Sequence, residues 1–261
     1  MSLRSPSPSP HPGADAPPTG LVAPCPLADL WAVRHGQSTA NLAFAAAEAA
    51  GSTAPVPGRD RDVPLSDLGA AQAEALGDWL AGRAPGAGPD LVVCSPFARA
   101  RETWQAMAER AAALGTPRPD VLVDERLRDR EMGVFELHPP AALRARSPQE
   151  AERRELLGEW CYRPPGGEAF TDVAVRVGQF LTDLGRAALG RRVLVVAHDG
   201  VVIALRYVLA GIGATAPERL PPVPNASLSH WSGDGDRLRL SAWGDTAHLT
   251  PLSPPGTPPR H

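Results

Sequence analysis

Residues 193–205 read Val193-Leu194-Val195-Val196-Ala197-His198-Asp199-Gly200-Val201-Val202-Ile203-Ala204-Leu205. A β-branched run, an imidazole, an acid, a glycine and a second apolar run in that order spell a strand, a tight turn and a buried helix. The first run is continuous rather than alternating, which belongs to a strand covered on both faces, as in a parallel sheet. The same order occurs earlier, where Trp31-Ala32-Val33 runs into Arg34-His35-Gly36. In both places a histidine stands at a strand's carboxyl end. The glycine beside it lets the backbone turn and brings N–H groups toward an anion at the start of the following helical pattern.

Working outward, two more strands of the same kind are expected at 90–94 (DLVVC) and 121–123 (VLV). A helix is expected from the N-cap Ser66, a second over Phe97–Leu114, and a third over 168–189. In the third, Phe170, Val173, Val177, Phe180, Leu184 and Ala188 recur every three or four positions and form one buried face. The helix after His198 reads as wholly buried. Late in the chain, SLSHW, a Gly-Asp turn at 233–236 and RLRLSAW predict a hairpin. Strands alternating with helices predict an α/β fold, three-layer α/β/α with a mostly parallel central sheet. In such sheets ligands bind beyond the carboxyl ends of the strands, which is where both histidines fall.

Composition bounds the rest. With 261 residues, 43% of them apolar, the chain can close a full core. Its 30 prolines crowd the ends, so 1–28 and 251–261 are expected to be disordered tails around a body at 29–250. No run reaches the ~18 apolar residues of a membrane span, and the amino-terminal stretch has no apolar signal core. A net charge of -3 argues against a nucleic-acid partner. All 26 basic residues are arginine, which reflects base composition rather than function. Cys25, Cys94 and Cys161 have no metal-binding spacing, and a reduced, cytoplasmic setting is expected.

A third strand end, Val93-Cys94-Ser95-Pro96-Phe97-Ala98-Arg99, adds a guanidinium to the same edge. Arg34 and Arg99 suit bidentate capture of one phosphoryl group, although Arg99 beside Arg101 and Glu102 also reads as a solvated helix face. Other chemistries fail on spacing. There is no Walker loop and no lysine to complete one, no HExxH, and no Gly-x-Ser-x-Gly elbow. A cysteine phosphatase loop needs arginine six residues after Cys94, and position 100 is alanine.

Six segments in order resemble the histidine phosphatase superfamily, phosphoglycerate mutase-like branch. Arg34-His35-Gly36-Gln37-Ser38 with Asn41 is similar to its RHGES...N signature, and Asp62-Val63-Pro64-Leu65-Ser66 to its DxPLT segment. Ser95-Pro96-Phe97-Ala98-Arg99-Ala100 resembles SPLxRA, and Leu127-Arg128-Asp129-Arg130-Glu131-Met132-Gly133 resembles LREREFG. Pro165-Gly166-Gly167-Glu168 with Arg176, then Asn225-Ala226-Ser227 with Trp243-Gly244-Asp245, complete the series.

The resemblance implies a phosphoglycerate mutase-like fold and a phosphomonoester hydrolase acting through a phosphohistidine on a small phosphorylated metabolite. His35 is then the nucleophile, His198 a second catalytic residue, and Arg34, Arg99 and Asn41 the phosphate-binding groups, with no metal and no cofactor. Asp129 takes the place of the family's glutamate acid. Asp199 is an alternative acid, as in the His-Asp pair of the acid phosphatase branch, or a helix N-cap. Glu131 is the next candidate. Burial would raise either aspartate and the arginines would lower it, so a partial upward shift is expected. The partner is a small-molecule phosphate ester, without nucleic acid or membrane, bound by a monomer or homodimer. A cofactor-dependent phosphomutase and a catalytically weak phospholigand-binding module are the alternatives. Four arginines at 144, 146, 153 and 154 bear on the first of these, because mutases close their site with basic residues.

Overall fold

Side chains alternate across the central strands and divide the core in two. In the computed structural model, which describes residues 21–217 and 219–252, β1 (Asp29–Arg34), β2 (Leu91–Cys94), β3 (Asp120–Val123) and β4 (Arg192–Ala197) run parallel. β5 (Leu228–Gly233) and β6 (Leu238–Asp245) add an antiparallel hairpin at one edge. The order across the sheet is β3-β2-β4-β1-β5-β6. Leu30, Ala32, Leu91, Val93, Val193 and Val195 face one side and pack on α6 (Phe170–Ala187) and α7 (Asp199–Ala210). Trp31, Val33, Val92, Leu194 and Val196 face the other and pack beneath α2 (Asp67–Ala81) and α3 (Ala98–Ala113). The expected three-layer α/β/α arrangement is therefore the one observed.

Local signals place the helices. Ser66 caps α2, its Oγ accepting from the Gly69 N–H at 3.1 Å. Ser38 and Asn41 cap α1 (Thr39–Ala50) reciprocally. Two elements depart from expectation. All four residues of β3 are exposed, because this strand lies at the sheet edge and pairs with β2 alone. The helix after His198 is not wholly buried either, since Arg206, Tyr207 and Val208 are half-exposed where α7 turns outward. At the amino terminus the chain joins the core before residue 29, with Leu27 and Cys25 buried against α6 and the sheet. Of the tails expected at 1–28 and 251–261, residues 1–20 and 253–261 lie outside the described residues. Among the described residues no helix is long and apolar enough to cross a membrane.

The sheet register sets the site. Arg34 pairs with Ala197 and Cys94 with Val196, so β1, β2 and β4 end at one level. The loops that leave them crowd together: a Cβ on Gly36 would lie 2.4 Å from the Gly69 carbonyl oxygen, and one on Gly69 would lie 2.0 Å from that of Gln37. Only glycine permits backbones to meet this closely.

Candidate active site

His35 leaves β1 and His198 leaves β4, and their rings meet edge to face with centroids 5.2 Å apart. Both are buried. His35 Nδ1 lies 2.7 Å from the Gly36 carbonyl oxygen. A carbonyl only accepts, so Nδ1 carries the proton and Nε2 keeps its lone pair. Burial, followed by His198, Arg99 and Arg34, holds the His35 imidazole well below its ordinary pKa, and the ring is neutral. His198 Nε2 is 2.8 Å from the Ser95 hydroxyl, which fixes the ring's orientation. Its Nδ1 is 3.2 Å from Asp129 Oδ2, off the line of a hydrogen bond but within ionic range.

Asp129 arrives on the loop after β3 and joins the two histidines. One ligand atom from each of His35, Asp129 and His198 falls within 4.8 Å of the others. No metal spacing is visible in the sequence, yet the fold gathers three groups of metal-binding type. A guanidinium occupies that neighbourhood, however, with Arg99 Nη2 donating to Asp129 Oδ2 at 2.7 Å. Arginine supplies the positive charge a cation would bring and repels a second one.

The expected partial rise of the acid is corrected here. Burial by itself raises the Asp129 carboxyl, but the His198 and Arg99 contacts together outweigh it and hold it well below the carboxylate range. Asp199 is not the N-cap of α7: His198 holds that position, and Asp199 follows it inside the helix. Its Oδ2 is 3.9 Å from Arg34 Nη2, and its side chain is half-exposed at the cleft rim. Glu131 turns outward to Arg128 at 2.9 Å.

Arg34 is anchored by donating from Nη1 to the Val223 carbonyl at 2.7 Å, while its buried Nε meets no acceptor among the described residues. Asn41 Oδ1 accepts from the Ser38 N–H, the Ser38 hydroxyl and Asn225 Nδ2, which leaves the Asn41 NH₂ as its only donor toward the cleft. Arg99 is not a solvated face; it is 4% exposed and gripped by Asp60 as well as Asp129. Burial pushes the adjacent Cys94 thiol up to about 12, which removes it as a nucleophile.

Arg34, His35, Asn41, Arg99, Asp129 and Asp199 line a cleft of about 810 Å³ at the carboxyl edge of the sheet, and His198 lies buried behind them. Three contributors went unread in the sequence. Ser95 lies inside a quoted motif, but its role appears only when β2 is set beside β4. Thr103, one turn beyond Arg99, accepts from the Gly36 N–H at 3.0 Å and so ties α3 to the His35 turn. Asp60 lies in a stretch with no legible motif.

The model of the histidine phosphatase superfamily (branch 1) matches residues 30–246. A glucosyl-3-phosphoglycerate phosphatase of Mycolicibacterium vanbaalenii is 33% identical over 72% of this chain and 86% of its own length. A probable phosphoglycerate mutase of Proteus mirabilis is 28% identical over 87% of this chain and 97% of its own. Among solved structures, a mycobacterial glucosyl-3-phosphoglycerate phosphatase complexed with VO3 superimposes with a TM-score of 0.66 at 28% identity, over 84% of this chain and 99% of the other. With its motifs in order, its sheet edge assembled as described and its family model matched almost end to end, the chain belongs to the histidine phosphatase superfamily, branch 1.

Proposed function

We propose that the protein is a metal-independent phosphomonoesterase that hydrolyses a small phosphorylated metabolite through a phosphohistidine at His35. The observation that carries this is the imidazole itself. It is neutral, its single proton is held by the Gly36 carbonyl, and its free Nε2 faces a cationic cluster.

In the first step Nε2 attacks phosphorus in line, a P–N bond forms and the P–O bond to the alcohol breaks. In the second, water attacks the phosphohistidine, returning the electron pair to Nε2 and releasing inorganic phosphate. Arg34, Arg99, His198 and the Asn41 amide surround the equatorial oxygens and stabilise the charge that develops there, the largest single contribution in such sites. The Gly36 carbonyl, by holding the Nδ1 proton, stabilises the positive charge that His35 takes on when phosphorylated. Asp129 serves as the acid that protonates the leaving alkoxide and then as the base toward water.

The relatives named for glucosyl-3-phosphoglycerate support a small phosphorylated metabolite as substrate, and the cleft volume suits one. Hydrolysis is favoured over phosphoryl transfer by the segment over the cleft, α4 (Pro140–Arg146) and α5 (Pro148–Cys161). There Arg144 pairs with Glu155, Arg153 with Glu150 and Arg154 with Glu159, while Arg146 meets His138, so three of the four arginines are already neutralised by carboxylates. Release of p-nitrophenol from p-nitrophenyl phosphate in the presence of EDTA tests the reading. Activity should survive chelation, and an acid-labile, base-stable phosphoryl label should map to His35. Both should vanish in a folded His35→Ala variant. Turnover in that variant near the wild-type rate, or activity restored by a divalent ion after EDTA, would end the proposal.

A further inference from the structure

The reaction above uses Arg99 as a phosphoryl clamp, yet in the structure that guanidinium is held by carboxylates. Arg99 Nη1 donates to the Asp60 backbone oxygen at 2.6 Å and lies 3.0 Å from Asp60 Oδ1. Nη2 donates to Asp60 Oδ2 at 3.1 Å and to Asp129 Oδ2 at 2.7 Å. The two terminal nitrogens are thus surrounded by four oxygens, three of them from Asp60. This carboxylate meets the guanidinium fork to fork, the geometry in which a phosphate binds arginine. Asp60 stands on a 3-10 turn, Asp60–Asp62, that borders the cleft ahead of α2, and neither the motifs nor the reaction assigns it a role.

We propose that Asp60 is a positioning residue acting through Arg99: its carboxylate competes with the phosphoryl group for the guanidinium, yields it when a phosphate ester docks, and reclaims it as inorganic phosphate leaves. The inference rests on the phosphatase reading above. A dianion that approaches Arg99 meets two carboxylates already in place, and one must withdraw. Asp129 is the less mobile of the two. Its Oδ1 accepts from the Arg130 N–H at 2.8 Å and its backbone oxygen from Arg176 at 3.1 Å. Asp60 sits on a short turn, and among the described residues its carboxylate meets Arg99 alone, so a rotation frees it without breaking another contact. The crowding is visible in its protonation. Burial, assisted by Asp129, pushes the Asp60 carboxyl above its ordinary value even though Arg99 draws it down. Arg99 does not drift when the Asp60 side chain departs, because the Asp60 backbone oxygen and Asp129 still hold it.

A purely structural Asp60, serving only to aim Arg99, makes the opposite prediction, so the sign of one measurement decides. Inorganic phosphate is titrated calorimetrically into wild type, Asp60→Asn and Asp60→Glu, with p-nitrophenyl phosphate kinetics alongside. Asp60→Asn keeps the shape and removes the charge. It should bind phosphate about tenfold more tightly, as removal of a competitor for a charged hydrogen bond implies. KM should fall with it, while kcat stays level or drops as product leaves more slowly. Asp60→Glu, which keeps the carboxylate, should retain weak binding. Phosphate affinity that is unchanged or weaker in Asp60→Asn overturns the proposal, and so does tightening of equal size in Asp60→Glu. Should Asp60→Asn fail to fold, Asp60→Ala enters the same titration with the same expected tightening. Phosphate binding is read without turnover, so a chain that binds phosphate and hydrolyses nothing would count against the phosphatase reading alone.

Discussion

The acid we propose at position 129 is one methylene shorter than the family's glutamate, and the structure places its carboxylate against two partners. Asp129 is drawn against Arg99 and His198 and held ionised. In the proposed reaction it becomes a proton donor only when that pull is weakened. A phosphoryl group supplies the weakening, because it neutralises Arg99 and sets negative charge beside the carboxylate, both of which raise its pKa. On this proposal substrate prepares its own acid. Asp129→Asn should cut turnover of alkyl phosphates by ~10²–10⁴-fold and cost much less with p-nitrophenol, which departs without a proton. Asp199→Asn should lose little on either substrate, since Asp199 is a half-exposed partner of Arg34. Parallel kinetics on alkyl and aryl esters check both, and a leaving-group effect appearing only in Asp199→Asn would move the acid there.

The loop that carries Asp129 has no helix or strand to hold it, and its rigidity is borrowed from α6. Arg176 on α6 donates to the Arg126 carbonyl at 2.6 Å and to the Asp129 carbonyl at 3.1 Å. Glu168, just ahead of α6, accepts from Arg176 through both carboxylate oxygens, from Arg128 at 2.8 Å and from the Glu131 N–H at 3.2 Å. Both Glu168 and Arg176 are buried. Removing the charge from a buried pair strands its partner, at a cost of about 3 kcal/mol. Glu168→Gln should therefore lower the free energy of unfolding by roughly that amount. It should also reduce kcat on alkyl phosphates more than on p-nitrophenyl phosphate, because the loop it loosens holds the acid. Urea denaturation together with the same pair of substrates checks this, and a variant as stable as wild type would show that the network is dispensable.

For the molecule as a whole, buried titratable groups set the response to acid. Burial pulls His35 well below its ordinary pKa and lowers His248 in the same direction. In the unfolded chain these imidazoles take up protons near ~6.5, while the native state leaves them neutral. The unfolded state then binds more protons, so stability falls as pH drops below ~6.5. Asp129, also depressed, adds stability that is present above its unfolded value near ~3.9 and is lost as pH falls further toward its native one. Between pH ~7.5 and ~5 the urea midpoint should decline, and His35→Gln, which has no proton to gain, should decline less. An equal slope in both proteins would locate the acid sensitivity elsewhere.

Strands and site motifs were legible in the sequence because their signals are local. A continuous apolar run is buried by its own composition, and β1, β2 and β4 stand where such runs occur, two of them running into a histidine and a glycine. His35, His198, Arg34, Arg99 and Asp129 are each marked by the motif that contains them. What the sequence could not show depends on groups far apart along the chain. The run at 121–123 reads like a core strand and is exposed, because its place at the sheet edge is decided by the strand order. Leu27 lies in a proline-rich stretch and is buried, because α6 and the sheet cover it. The depressed Asp129 carboxyl and the Asp60–Arg99 fork exist only once four loops converge on one sheet edge. Electrostatic effects act through space and grow with burial, so residue types supply the charges while the fold alone sets their distances and thereby their strength.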